Sequence, residues 1–495
     1  MTSPAPTAPA PAGTDPVTPA GEARAPARGT PPVIRWLVLA TFVVILNETI
    51  MINAIPRLMS DLGVTAQAAQ WLSTAFMLTM AAVIPVTGWF LQRFATRTAY
   101  LTAMATFLTG TALAAVAPSF EVLLGARIVQ AGGTAVMIPL LMTTLMTVVP
   151  ERDRGRVMGN VTLAMSVAPA MGPAVSGVVL QAGSWRLLFL LVLPIAAAVT
   201  WAGFRRLENV GETTPGEVDW LSVVVAALGF GGLVYGLSRF SEGEVGTPVA
   251  LIVAGLLAIA GFALRQRSLQ RSGSPLMDLR VLTHRTYALS LALMAVSFMS
   301  MLGAMILLPM YLQEVRGLSP LQTGLLVMPG GLAMGLLGPT VGRVFDRLGG
   351  RVLVVPGAVG LVLALAGLAQ VGAGTPYAFV LGVHVLLSVA LAAVFTPVFT
   401  LGLGSLPAHL YSHGSSMLGT LQQVAAAFGT ALVITVMTTR ATSLAAVGTD
   451  EVGALLGGLR SAFLVGAVIS VAVIALAVLL PNRAANPEGA PVTGH

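Results

Sequence analysis

Glu48 is the one ionisable group well inside Val33 to Pro56, VIRWLVLATFVVILNETIMINAIP, an apolar stretch long enough to cross a bilayer. A carboxylate near the bilayer centre costs on the order of 2.5–3.5 kcal/mol on insertion scales, so it usually persists to handle protons or cations. The competing reading is a carboxyl that stays neutral, hydrogen-bonded to Asn47 or Thr49. Arg127 is the matching cation, inside a second apolar run at 120–148. It lies about seven residues (~10 Å) beyond the outer start of that run, and Glu48 about nine residues (~13 Å) before the outer end of its own, so the two sit at similar depth. Protonating the acid would change its attraction for a guanidinium that cannot itself be neutralised. That is the chemistry of coupling or gating. The alternative for Arg127 is a hydrogen-bonding hub for carbonyls of adjoining helices.

The elements that must hold these groups follow from composition. Of 495 residues, 56% are hydrophobic and only 9% charged, with a mean hydropathy of +0.88. The apolar material divides into many runs of about 18 or more residues, the signature of a multi-span all-α membrane protein. Fourteen spans are expected, near 33–57, 68–91, 98–117, 120–148, 159–181, 187–205, 219–240, 248–265, 286–312, 320–341, 351–371, 376–405, 416–439 and 460–480. All 26 basic residues are arginine. With the N-terminus inside, nineteen arginines fall in inner segments, six in outer loops (Arg57, Arg186, Arg239, Arg316, Arg440 and Arg460) and Arg127 within a span. Positive residues are retained on the cytoplasmic side, so both termini are expected there. The +7 net charge is therefore topological and points to no nucleic acid. The first thirty residues lack the apolar core of a cleavable signal peptide and read as a disordered tail.

Enzyme chemistry finds no support. Absent cysteine excludes disulfides and thiolate sites, five scattered histidines leave no metal set, and glycine-containing segments such as GTPVALIVAG lack the strand context and lysine of a P-loop. No cofactor is expected.

GWFLQRFATR, from Gly88, follows the second span, and GRVFDRLGGR, from Gly342, follows the tenth. Each position is the second helix of a six-helix set. Residues 33–205 and 286–480 then form two halves, with two extra spans and their loops at 206–285 between them and tails at 1–32 and 481–495. Glycine permits a tight turn, and Asp346 can cap a helix start or pair with a neighbouring arginine, so the second loop could latch one conformer. Anchoring at lipid headgroups is the alternative.

From Val33 to Leu480 the chain resembles the major facilitator superfamily, specifically its fourteen-span drug:proton antiporter branch. Gly342, Asp346, Arg347, Gly349 and Arg351 match the family's cytoplasmic loop motif, while the first copy has Gln92 in place of Asp and Ala95 in place of Gly. Arg127 and Gln130 within LLGARIVQAGG match its fourth-span motif. In the first span Leu46, Asn47, Glu48 and Thr49 carry the family's acid displaced by one position. APAMGPAVSG, Ala168 to Gly177, resembles the fifth-span motif that marks antiporters: Gly172, Pro173 and Gly177 match, and Ala168 and Ser176 are small replacements. Ala168, Gly172 and Ser176 recur every four residues, a smooth face for a close and sliding helix contact, and Pro173 allows a bend.

Candidate substrate-cavity residues are Asn53, Trp71, Phe76, Phe298, Phe395, Phe399, Gln422 and Gln423. Aromatic faces with a few amides suit flat hydrophobic or cationic compounds. His384 could relay protons or simply be a satisfied core histidine. The resemblance and the Glu48–Arg127 pair together imply a monomeric, proton-driven exporter of such drugs across the cytoplasmic membrane by alternating access. Export of an endogenous metabolite, lipid or amino acid is the alternative; a nutrient symporter is disfavoured by the fifth-span motif.

Overall fold

The computed structural model describes residues 30–51, 54–181, 183–211, 213–214, 216–240, 246–272 and 275–483, and among these there are helices and connecting loops but no strand. The first half holds α1 (Pro32–Ile50), α2 (Ile55–Leu62), α3 (Ala66–Arg93), α4 (Thr96–Ala115), α5 (Phe120–Val148), α6 (Arg154–Gln181) and α7 (Arg186–Arg206). The insertion holds α8 (Trp220–Ala226), which continues through a π turn into α9 (Gly232–Phe240), and α10 (Gly246–Ser272). The second half holds α11 (Arg285–Met310), α12 (Pro320–Leu348), α13 (Arg351–Leu368), α14 (Tyr377–Gly404), α15 (Tyr411–Ala446) and α16 (Glu451–Leu479). Counting α8 with α9 and setting aside the short α2, fourteen helices are long and apolar enough to cross a membrane.

Several helix boundaries differ from the sequence expectation by a few residues or more. The first span stops at Ile50 instead of near residue 57, because Pro56 takes an N-terminal position of α2 and cannot extend α1. Glu48 therefore occupies the last turn of α1, not a point some nine residues before its end. Arg460, assigned above to a loop, lies within α16, which begins at Glu451.

The two halves repeat in their terminal hydrogen bonding. Asn209, just past α7, accepts from the Arg97 N–H at the start of α4 (3.2 Å); Asn482, just past α16, accepts from Arg351 N–H at the start of α13 (3.1 Å). At the opposite end Arg186 donates to the Ala117 carbonyl after α4 (2.6 Å), and Arg460 to the Val371 carbonyl after α13 (2.6 Å). These arginines are exceptions to the charge bias because they satisfy helix-end carbonyls.

The halves meet along two seams, α6 against α12 and α3 against α15. The first is a glycine crossing. A Cβ at Gly155 or Gly159 would strike the backbone of Gly342 or Gly338, and the reverse holds for each partner. Two glycines four apart on both helices let the backbones touch, which in lipid is the main source of helix adhesion. The other seam is covered by the insertion: Leu233, Val234 and Leu237 of α9 pack on Leu78 and Ala81 of α3 and on Val424, Ala427 and Ala431 of α15. Asp219, the residue before α8, takes two hydrogen bonds from Arg265 of α10 (2.6 and 2.7 Å) and one from Ser222.

Gly159→Val should therefore force α6 off α12 and cost about 1–3 kcal/mol, whereas Gly177→Val, facing open space, should stay within about 0.5 kcal/mol. Denaturant unfolding of the purified variants measures both. A second expectation concerns acid. Hydrogen bonding from Arg265 outweighs burial and holds the Asp219 carboxyl down to about 2. A depressed folded value stabilises above the unfolded value of about 3.9 and is lost as pH falls through the folded one. The melting difference between the parent chain and Asp219→Asn should be full above about pH 4 and shrink toward pH 2.

Candidate functional site

α1 packs on α5 and α6, which brings three sequence motifs together. Thr49 rests against Gly172: a Cβ there would collide with the Thr49 hydroxyl and its Cβ. The neighbouring Glu48 is only partly buried and lies close enough to Arg127 for their charges to interact, yet no ion pair within 4.0 Å joins them among the described residues. Neither neighbour holds the Glu48 carboxyl. The Thr49 hydroxyl donates to carbonyls of its own helix, Ile45 (3.2 Å) and Leu46 (3.0 Å), and Asn47 is fully buried with both amide atoms unpartnered. The hydrogen bonds to Asn47 or Thr49 expected of a neutral acid are not made, because helical geometry turns those side chains to other faces.

Arg127 is 1% exposed. Its Nη1 donates to Gln130 Oε1 (2.7 Å), Gln130 Nε2 donates to Thr111 Oγ1 on α4 (2.8 Å), and its guanidinium lies 4.2 Å from the Phe76 ring centroid on α3. Nε has no hydrogen-bond partner. The guanidinium thus touches α3, reaches α4 through Gln130 and attracts an acid on α1. Its recorded bonds go to side chains, not to the carbonyls of adjoining helices.

The remaining α6 motif positions divide. Ala168 and Ser176 are fully buried, Gly172 bears on α1, Pro173 lies within the continuous helix, and a Cβ at Gly177 would meet nothing.

The candidate cavity residues do not form one wall. Phe76 is buried beneath Arg127, and the Trp71 ring meets Tyr235 of the inserted α9 at 5.5 Å, tilted by 39°. Phe298 of α11 stacks on Phe395 of α14 (5.1 Å), which meets Phe399 edge-on (6.4 Å). On α15, Gln422 is buried with Nε2 unpartnered and Gln423 is half-buried. Asn53 lies outside the described residues. His384 sits between α14 and α12 against Gly330, with Nε2 3.1 Å from the Val327 carbonyl and Nδ1 buried without a partner.

At the Arg-rich end the loop motif spans the seam. Asp346 accepts from the Gly155 and Arg156 N–H groups (2.8 Å each), capping the start of α6 in the other half. That is charge-assisted bonding to the positive end of a helix dipole. Gly342 touches Gly155. Gly349 ends α12 at φ +86°, a backbone region that favours glycine. Arg347 and Arg351 serve their own half: the Arg347 carbonyl accepts from Arg483, and Arg351 Nη2 donates to the Val478 carbonyl. In the first copy Gln92 donates to the His409 carbonyl across the other seam (2.8 Å).

Sequence reasoning missed Arg154, counted only for topology. It donates to the Met146 and Val149 carbonyls of its own half (2.8 and 3.1 Å) and to the Tyr411 hydroxyl of the other (3.2 Å). The paired glycines of α6, RGRVMGN, were a readable signal for the same seam.

This arrangement of paired six-helix halves is matched by a sequence profile described as Major Facilitator Superfamily, over residues 37–430. The chain belongs to that superfamily. It is 38% identical to the uncharacterized MFS-type transporter YcnB of Bacillus subtilis, over 92% of this chain and 97% of the relative. It is 36% identical to the lincomycin resistance protein LmrB of Listeria monocytogenes, over 89% and 94%. Among solved structures, the proton:xylose symporter XylE covers 91% of this chain and 95% of its own, with a TM-score of 0.63 at 13% identity, a likeness of fold alone. The chain is thus a multi-pass membrane transporter and not an enzyme.

Asp346→Asn keeps the shape of the latch but removes its charge, at a cost of about 1–2 kcal/mol to the closed seam. Because the chain has no cysteine, the opening is measurable as thiol labelling of a cysteine placed at buried Ser405, expected to rise about tenfold.

Proposed function

We propose that this transporter is a proton-coupled antiporter that exports hydrophobic or cationic drugs across the cytoplasmic membrane by alternating access. The observation that carries the reading is the junction of Glu48, Arg127 and Gly172. The acid stands beside a permanent cation, and the adjacent Thr49 bears on the small-residue helix that slides in the exchange. Inside the bundle, with an effective dielectric of about 20, unit charges separated by about 5–10 Å attract by roughly 2–3 kcal/mol. Removing such an attraction by protonation is enough to bias two conformers by more than tenfold.

The bias of nineteen arginines against six supports a cytoplasmic Arg-rich end. The latches of Asp346, Gln92 and Arg154 lie at that end, so the arrangement described is one with its cytoplasmic gate shut. A proton arriving from outside meets Glu48, cancels its attraction for Arg127 and favours release of the drug outward; reopening inward returns the proton. The gradient is the energy source, and no cofactor takes part. The protein works in the bilayer as a monomer. Drug export is supported by the likeness to a lincomycin resistance protein and by the aromatic pairs of α11 and α14. The absence of a second buried cation near Arg127 in the sequence pattern disfavours anionic substrates.

Glu48→Gln should abolish efflux driven by a pH gradient in everted vesicles while leaving the protein folded and inserted. Full retention of gradient-driven efflux would remove Glu48 from the mechanism.

A further inference from the structure

The two inserted helices bond to both sides of one seam. α9 lies in the groove between α3 and α15, and the Tyr235 ring of α9 meets Trp71 of α3 at a tilt. The incoming linker is tied to the first half at the Arg-rich end. Thr96 Oγ1 donates to the Val210 carbonyl (3.1 Å), Asn209 caps Arg97, and Thr214 N–H donates to the Gln92 carbonyl (2.9 Å). Gln92 therefore takes the linker on its backbone while its side chain reaches across the seam to His409.

The outgoing linker is tied to the same place by a buried amide. Gln266 of α10 is fully buried; its Nε2 donates to Ser222 Oγ of α8 (2.8 Å), and its Oε1 accepts from the N–H groups of Leu276 (2.8 Å) and Met277 (3.2 Å). Asp278, 2% exposed, continues the turn. It takes a hydrogen bond from Gln270 (2.9 Å) and is ion-paired with Arg280. Burial opposes its charge, but the hydrogen bonds from Arg280 outweigh that and hold its carboxyl below the usual range. The turn ends in a three-body junction. A Cβ built on Gly88 of α3 would fall 2.9 Å from Nδ1 of His413 on α15 and 3.1 Å from the Leu276 carbonyl. His413 is buried and within electrostatic reach of Asp278, Arg280 and His409.

We propose that the inserted pair is a strap over the α3–α15 seam that holds the Arg-rich gate shut, with Gln266 and Asp278 positioning the 276–280 turn against Gly88 and His413. Opening that end by a rocking motion separates α3 from α15, and the turn is wedged where they part. Padding of the lipid face would leave the gate untouched. Here every tie of the insertion to Gln92, Gly88 and His413 is made at the end that must open. The inference concerns gating alone and goes beyond drug export.

The test places spin labels on cysteines at Thr98 and Ala408, exposed positions on opposite halves at the Arg-rich end of a chain with no cysteine of its own. Distances are measured in the full-length protein in lipid nanodiscs, with neither drug nor pH gradient, so the result is independent of the fate of proton coupling. Gln266→Leu, which leaves the Leu276 and Met277 N–H groups unbonded, should raise the long-distance population by about twofold or more, and Asp278→Asn should shift it in the same direction. Where Gln266→Leu does not fold, Asp278→Asn decides by the same readout. An unchanged distance distribution in a variant that keeps the parent melting temperature overturns the proposal.

Discussion

A guanidinium keeps its charge at any depth in a bilayer, so whatever surrounds it must answer that charge. At Arg127 the answer is a shared one: an amide on its own helix, an aromatic face on α3 and an acid on α1 near enough for the two charges to interact. Three different helices are thereby drawn toward one centre. Of these contacts only the acid can change its charge by binding a proton.

The same economy governs the helix ends. At the Arg-poor end α3, α5, α12 and α16 are capped by their own Thr65, Ser119, Ser319 and Asp450. At the Arg-rich end the starts of α4, α6 and α13 are capped from elsewhere, by Asn209, Asp346 and Asn482. A cap supplied by its own helix survives any rigid-body motion, whereas a cap supplied across a seam is lost when the seam opens. Asp346 is of the second kind, so the chemistry that ends one helix also records the state of the gate.

The insertion adds a third body to a two-body machine. Its apolar contact with α3 and α15 lies along the seam, and its polar contacts gather at the Arg-rich end. The first-half loop, which carries Gln92 where the second half carries Asp346, offers an amide to a carbonyl instead of a carboxylate to helix N–H groups, a weaker tie. The strap lies over this weaker latch.

Much of this was legible in the chain. Fourteen apolar runs and the repeated loop are consequences of hydrophobic length and charge, which bilayer physics reads locally, and the structure returns fourteen helices long enough to span; the arginine asymmetry is a property of the sequence alone. The glycine-rich seam was partly legible as two pairs of glycines four apart. What the sequence could not supply was which faces meet. The end of α1 moved because Pro56 begins another helix. Phe76 became a platform for Arg127, and Trp71 turned to the insertion. Asp346 could have capped any nearby helix; only the fold shows that it caps one in the opposite half. Periodicity and composition determine that helices form and cross the bilayer. The rotation of each helix about its axis, and hence every charge pair and gate contact, is decided only when all of them pack together.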